Sequence, residues 1–179
     1  MNCFKINLIA AMSMNGVIGI KGSIPWRCKE DMNFFKQKTM GGLLIMGRKT
    51  YESLPASGLP GREIFVITRT PEDYLDKVSE SVTFFPNLDD AIAKAKRNAV
   101  GRTIWIAGGG EIYRDVLENH RDKLDDIYLS VIDVSPDTVG ATMMPTEHLP
   151  LHEDWDMVVY DEIQSPHRLR YIKHWSKRF

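Results

Sequence analysis

The sequence predicts a single α/β domain built on a mainly parallel sheet. Three observations point there. Short apolar runs, FKINLIAAM at Phe4 to Met12, LLIMG at Leu43 to Gly47, IFVIT at Ile64 to Thr68 and RTIWIA at Arg102 to Ala107, suit strands buried on both faces. Segments of helical pattern separate these runs, and parallel neighbours need such crossovers. At 179 residues, with 43% hydrophobic and 26% charged residues, the chain can bury one substantial core. No repeat, low-complexity tract or linker divides it, so 1–179 reads as one domain.

In order, Phe4 to Met12 is the first strand, and Met14-Asn15-Gly16 breaks it. Val17 to Ser23 (VIGIKGS) contains Gly19 and Gly22 and reads as a mobile loop ending at Pro25. A helix follows around Glu30 to Met40, and Gly41-Gly42 stops it. Leu43 to Gly47 is the next strand, with Arg48-Lys49-Thr50 at its carboxyl end and Thr50 as the cap of a short helix through Leu54. Gly58-Leu59-Pro60-Gly61 turns the chain into Ile64 to Thr68, and Thr70-Pro71-Glu72-Asp73 opens a polar connection. Val82 to Phe85 reads as a short strand and Leu88 to Arg97 as a helix introduced by Asn87 or Asp89. After Arg102 to Ala107 come Gly108-Gly109-Gly110 and a helix through about Glu118. Ile127 to Val134, Asp156 to Gln164 and Leu169 to Trp175 close the chain. The last two form a hairpin about Ser165-Pro166 that adds an antiparallel edge.

Composition excludes several classes. A net charge of −1 offers nucleic acid no global attraction, so any anion site is local. Cys3 and Cys28 have no metal-like spacing and read as free thiols of a reducing, cytoplasmic compartment. Met1 to Ala11 lacks the flanks of a signal peptide, and no apolar run has the length of a membrane span. The histidines His120, His148, His152, His167 and His174 show no metal spacing and read as surface residues, and no metal site is expected.

The segment around Asp31 carries the chemistry. Phe35 lies about 40° from Asp31 around a helix, and Met32 about 100°. One arc therefore offers a carboxylate flanked by apolar groups, which is costly unless something binds it. A flat, nitrogen-rich ligand with two parallel donors would do so. Taken alone, Asp31, like Glu30, also fits the ordinary preference for acids in a first helical turn.

Elsewhere the signals are anion-like. Gly108-Gly109-Gly110 lies between strand and helix, where bare N–H groups can hold phosphate or simply form a tight turn. Glu111 and Ile112 follow, so the dinucleotide fingerprint GxGxxG is absent. Arg48 and Lys49 end one strand, and Thr68 and Arg69 end the next, where open α/β sheets bind ligands. Any one of these cations fits a solvated surface, but together they suggest a ribose phosphate. Arg62, after Pro60-Gly61, could pair bidentately with a carboxylate or lie free on the surface.

Taken together the segments resemble dihydrofolate reductase. The matching stretches are IAAMSMNGVIG from Ile9, IPW from Ile24, the Asp31 helix through Phe35, IMGRKTYESL from Ile45, LPGR from Leu59 and VITR from Val66. AGGGEIY from Ala107, YLSVID from Tyr128 and GATMMP from Gly140 complete the set, in family order over nearly the whole chain. The resemblance implies that family's α/β fold, a mainly parallel sheet with an antiparallel C-terminal strand and about four helices. It further implies NADPH as cofactor, dihydrofolate as substrate, a monomer, and no partnership with nucleic acid or membrane. Asp31 would anchor the pteridine and promote protonation at N5, supported by Ser130, with Trp26 and Tyr113 near the reacting rings. Ile9, Ala10, Met32, Phe35, Lys36 and Ala107 would line the substrate, and Arg62 would clasp its glutamate α-carboxylate. Arg48, Thr68 and Arg69 would hold the 2′-phosphate. Lys49 and Thr50, with Gly109, Gly110 and Glu111, would line the pyrophosphate path, and Gly47, Gly108, Ile112 and Tyr113 would also contact the cofactor. Ala11 and Ile18 would neighbour the nicotinamide, and Val17 to Ile24, with Val17, Gly19 and Ser23 among its contacts, would form the loop that closes over the cofactor. A cis Gly108–Gly109 peptide is also implied.

Three positions depart from the family pattern: Lys29 where proline is common at the helix start, Ala141 in place of an aspartate, and Ala107 in place of a larger aliphatic residue. Two other readings share the fold. The pyrimidine reductase of riboflavin synthesis takes a substrate without a glutamate tail, which leaves Arg62 without a role. A non-catalytic NADPH-binding protein would have no use for Asp31.

Overall fold

The computed structural model describes residues 4–150, 154–160 and 169–178. Its strands are β1 (Lys5–Ser13), β2 (Val17–Ile20), β3 (Leu43–Gly47), β4 (Glu63–Ile67), β5 (Val82–Phe85), β6 (Thr103–Ile106), β7 (Asp126–Ile132), β8 (Ala141–Met143), β9 (Trp155–Tyr160) and β10 (Leu169–Lys177). Its α-helices are α1 (Lys29–Thr39), α2 (Arg48–Glu52), α3 (Leu88–Asn98) and α4 (Gly110–Asn119). One eight-stranded sheet runs in the order β5-β4-β3-β6-β1-β7-β10-β9. Its strands are parallel from β5 to β7, and β10 is antiparallel to both neighbours.

The apolar runs become the central strands because both of their faces are covered. On one face Leu8, Ile45, Ile104 and Ile106 meet Ala91, Ile92 and Ala95 of α3 and Val116 and Leu117 of α4. On the other, Ile9, Leu44, Met46, Trp105 and Tyr128 meet Phe34 and Phe35 of α1 and Tyr51 of α2. Successive residues of β1, Leu8 and Ile9, thus enter different cores, as period-two alternation requires. Every residue of β7 is buried. The carboxyl ends of β3, β6, β1 and β7 consequently reach one edge of the sheet, where the glycine run, α2 and α4 begin. Among the described residues no helix is long and apolar enough to cross a membrane.

Several local expectations change. The supposed loop at Val17 to Ser23 contains β2, paired antiparallel with β8. Val17 is fully buried, its N–H donates to Ser13 Oγ at 2.9 Å, and the Met144 N–H donates to the Gly16 carbonyl at 2.8 Å. Partners so distant along the chain leave no local signature. The short helix α2 starts from Gly47, without a side-chain cap, so Thr50 lies inside it and caps nothing. Asn87, rather than Asp89, caps α3, with its Oδ1 accepting from the Asp90 N–H at 2.8 Å. The polar connection after Thr70 is a 3-10 segment over Pro71–Lys77.

His174 is also not a solvated surface residue. It stacks on Tyr128 at 4.2 Å, and its Nε2 lies 2.9 Å from Asp126 Oδ1. His120 is half-buried, 2.7 Å from Lys123 Nζ. The antiparallel pairing of β9 with β10 is as expected, whereas the turn about Ser165-Pro166, His152, His167 and Cys3 lie outside the described residues.

Candidate active site

Helix α1 begins after Cys28, whose side chain makes no cap, so the first-turn carboxylates of Glu30 and Asp31 are what complements its positive end. Asp31 is half-buried over the sheet edge. Burial raises its pKa, and a hydrogen bond from the Ser130 hydroxyl only partly offsets that. Ser130 is 1% exposed and stands beside Ala11 in the β1–β7 register. Helix α1 is held there by Phe34 set edge-on to Tyr128 at 6.0 Å, and by Lys38 Nζ over the same tyrosine ring at 4.5 Å.

Tyr113 of α4 enters from the other side of β1. Its hydroxyl donates to the Ile9 carbonyl at 2.8 Å. Burial raises the pKa of this phenol, and the nearby charge of Asp31 raises it further, so it stays a neutral donor. Asp31, Ser130, Ile9 and Tyr113 thus form one group across α1, β7, β1 and α4. A carboxyl group whose pKa is raised by burial in such a cleft is suited to hold and pass a proton.

The walls of the cleft are apolar. Phe35 and Ala107 pack partly buried against the Ile9 cluster. Trp26 packs beside Cys28, Ile132 and Leu169. Met32 is 57% exposed and Ile24 62% exposed, large apolar side chains left at the rim. At the far end of α1, Arg62 is 9% exposed. Its Nε donates to the Pro60 carbonyl at 3.2 Å and its Nη1 to Thr39 Oγ1 at 3.3 Å. It has no carboxylate partner among the described residues, and burial lowers its pKa. A guanidinium so placed favours an incoming anion.

The glycine run follows β6 at the other end of the cleft. The Gly108–Gly109 peptide is cis. The Gly47 N–H donates to the Gly108 carbonyl at 2.7 Å, which locks the ends of β3 and β6 together. A Cβ on Gly108 would meet Tyr113 Oη at 2.9 Å, and one on Gly109 would meet Thr50 Oγ1 at 3.1 Å. One on Gly110 would meet Thr142 Cγ2 at 2.6 Å and Ile18 Cδ1 at 3.5 Å. A side chain at Gly108 would strike Tyr113 and one at Gly110 would strike the Thr142 side chain, while one at Gly109 needs Thr50 to give slightly, and α4 has no side-chain cap. Its first N–H groups therefore have no side-chain acceptor, an arrangement in which a helix start can take a phosphate. Ile112 lies against Gly47, where an added Cβ would be 3.4 Å from its Cγ1.

Beyond α2, Thr68 is buried at the end of β4 and accepts from the Thr70 N–H at 3.4 Å. Arg69 beside it is exposed. Arg48 pairs with Glu52, 2.8 Å away.

The structure therefore gathers Asp31, Ser130, Tyr113 and Ile9 in one place, and Gly47, Thr50, Gly109 and Ile112 in another. Ile18 joins Gly110 and Thr142 in a third. Lys36, Lys49 and Glu111 are exposed and enter none of these groups. Ala10 is buried beneath the site, Ala11 and Gly19 are half-buried, and the Ser23 hydroxyl donates to the Ile20 carbonyl of its own loop at 3.2 Å. Sequence reasoning missed Thr39, which holds Arg62, and Thr142, which covers Gly110. It also missed Glu52, although its i,i+4 spacing from Arg48 was a usable signal.

A family model described as dihydrofolate reductase matches residues 5–174. "Dihydrofolate reductase type 15" of Escherichia coli is 39% identical over 133 residues, 74% of this chain and 78% of that protein. The dihydrofolate reductase of Enterococcus faecium is 34% identical over 169 residues, 93% of this chain and 95% of that one. Among solved structures, dihydrofolate reductase from Enterococcus faecalis complexed with NADP(H) and RAB-propyl superposes with a TM-score of 0.76. It is 23% identical and covers 98% of this chain and 97% of its own, a likeness that establishes the fold.

Proposed function

The chain belongs to the dihydrofolate reductase family, and from that premise we propose how its own residues carry the family reaction. It reduces 7,8-dihydrofolate to 5,6,7,8-tetrahydrofolate. NADPH, when bound, supplies the hydride that C6 of the pteridine receives. Asp31 accepts the paired N–H donors of the pteridine and promotes delivery of a proton to N5, and Ser130 fixes the orientation of its carboxylate. Tyr113, held on the Ile9 carbonyl, packs beside the reacting rings, and Trp26 helps exclude water. Phe35, Met32 and Ala107 wall the substrate, and Arg62 receives its α-carboxylate, with Lys36 near the tail. On the cofactor side, the amides of Gly109, Gly110 and Glu111, with Lys49 and Thr50, take the pyrophosphate. Arg48, Thr68 and Arg69 take the 2′-phosphate, and Val17, Ile18, Gly19 and Ser23 close the site.

The observation that carries this reading is Asp31. Its carboxyl is half-buried, its pKa is raised by burial, and it is anchored on Ser130 near enough to Tyr113 of α4 for its charge to act on that phenol. Arg62 favours dihydrofolate over a ribosylaminopyrimidine, because a buried guanidinium with no acidic partner among the described residues matches a substrate that brings a carboxylate. The proposed groups come from the large sheet, its helices and the small β2–β8 sheet of this one chain, so a monomeric, single-domain enzyme suffices. The proposal places it in the cytoplasm. The deciding experiment follows absorbance of the nicotinamide band when dihydrofolate is added with NADPH. Rapid, dihydrofolate-dependent loss is expected, and its absence sinks the assignment.

A further inference from the structure

We infer that Tyr74 and Glu52 are positioning residues for Arg48, and that this Tyr74–Glu52–Arg48 chain sets the preference for NADPH over NADH. The inference rests on the assignment of Arg48 to the 2′-phosphate made above. Arg48 Nη1 donates to Glu52 Oε2 at 2.8 Å, one helical turn along α2. An exposed pair of this kind is normally weak and exchanges with water. Here the second carboxylate oxygen is also held, since Tyr74 Oη donates to Glu52 Oε1 at 2.8 Å.

Tyr74 is itself anchored. Its ring stacks on Phe84 of β5 at 4.8 Å with 18° between planes. Phe84 is buried and meets Tyr51 of α2 edge-on at 5.5 Å. The hydroxyl therefore approaches Glu52 from a ring wedged against the sheet, and its hydrogen bond to the carboxylate keeps it protonated as a donor. Glu52 is thus gripped from both sides.

The consequence falls on Arg48. A guanidinium presents five N–H donors in one rigid plane. With Nη1 engaged by a fixed carboxylate, the heading of the remaining donors is set in advance. Arg48 follows Gly47, which pairs with Ile67 in the β3–β4 register, so it stands next to the strand end bearing Thr68 and Arg69. A 2′-phosphate arriving there meets donors already oriented, and binding avoids part of the cost of ordering a long flexible side chain. A cofactor with a plain 2′-hydroxyl gains nothing from the same arrangement.

The test compares KM and kcat for NADPH and NADH in the parent, Tyr74→Phe, Glu52→Ala, Arg48→Ala and the Arg48→Ala/Tyr74→Phe double variant. Tyr74→Phe keeps the stacked ring and removes one hydrogen bond. It should raise KM for NADPH roughly two- to tenfold, leaving KM for NADH and both kcat values unchanged. Glu52→Ala should do at least as much, and Tyr74→Phe should add nothing once Arg48 is gone. An unchanged KM for NADPH in Tyr74→Phe, equal losses for both cofactors, or additivity with Arg48→Ala overturns this inference alone. So does tighter NADPH binding in Glu52→Ala, which would make Glu52 a brake on Arg48. An Arg48→Ala variant with the parent's cofactor preference overturns the 2′-phosphate assignment, and this inference with it.

Discussion

Asp31, in the role proposed for it, would trade stability for function. Its folded-state pKa is raised by burial, so the unfolded chain releases this proton at lower pH than the folded one. Stability therefore falls as pH rises from about 3.9, the unfolded value, through the raised folded value, and the whole cost is present above it. Asp31→Asn keeps the shape and a partner for Ser130 but cannot ionise. It should melt at higher temperature than the parent at pH 7, with the difference vanishing below pH 4. Its turnover at pH 7 should drop roughly 10²–10⁴-fold, recovering partly in acid where solvent protonates the substrate. Near-parental turnover at neutral pH would move the proton-handling role elsewhere. Arg62 can be tested in the same way. Hydrogen bonds between charged groups contribute about 1.5–3 kcal/mol each, so Arg62→Leu should raise KM for dihydrofolate at least tenfold. The penalty should disappear with a pteridine substrate that lacks the glutamate, and persistence with that substrate would refute the contact.

Among the strands, the pair β2–β8 is the one that local pattern did not foretell. VIGI in a glycine-containing stretch reads as loop, and ATM is too short to read as anything. Each becomes a strand because the other is there, with Val17 as the buried pin. This small sheet covers the start of α4, where Thr142 and Ile18 close on Gly110. A methyl at Gly110 would sit 2.6 Å from Thr142 Cγ2, so the Thr142 side chain or β8 itself must shift to admit it. Gly110→Ala should cost about 1–3 kcal/mol of stability, the usual range for overpacking. It should also raise KM for NADPH without altering KM for dihydrofolate. A melting point and cofactor KM equal to the parent's would show that β8 yields freely. The contrast with α3 is instructive, since Asn87 before an apolar-periodic run is a start signal complete in itself, and the helix begins there.

For the whole molecule, the C-terminal strands are tied to the parallel core through Asp126. Burial alone would raise its pKa, but hydrogen bonds from His174 and Ser176 of β10 and the charge of Lys5 on β1 bring it below the usual carboxylate range. A lowered folded pKa gives stability that is present above about 3.9 and lost as pH falls through the folded value. Asp126→Asn should therefore destabilise the fold at neutral pH, and the gap to the parent should narrow in acid. Thermal melts of both proteins between pH 7 and pH 3 measure it. A gap that stays constant with pH would mean the contribution is packing rather than charge.

Much of this was legible in the chain. Runs such as LLIMG and RTIWIA settled the parallel sheet, because a strand buried on both faces needs continuous apolar sequence. The order IAAM, IPW, GRKT, LPGR, VITR and AGGG pointed to the family and thereby to Asp31, Arg62 and the glycine cradle. Local sequence could not reveal what depends on distant partners. The burial of Asp31 on Ser130, the gathering of Tyr113 onto Ile9, the grip of Tyr74 on Glu52 and the sealing of Gly110 by Thr142 all join residues remote along the chain. His174 shows the same limit, a polar residue with no motif around it that the sheet carries onto Asp126 and Tyr128. Periodicity and turn chemistry act between near neighbours, so the sequence alone determined the strands of the large sheet, the longer helices and the family. Desolvation and hydrogen-bond geometry arise only where separate elements meet, so the tertiary structure decided which charges are buried and which side chains hold them.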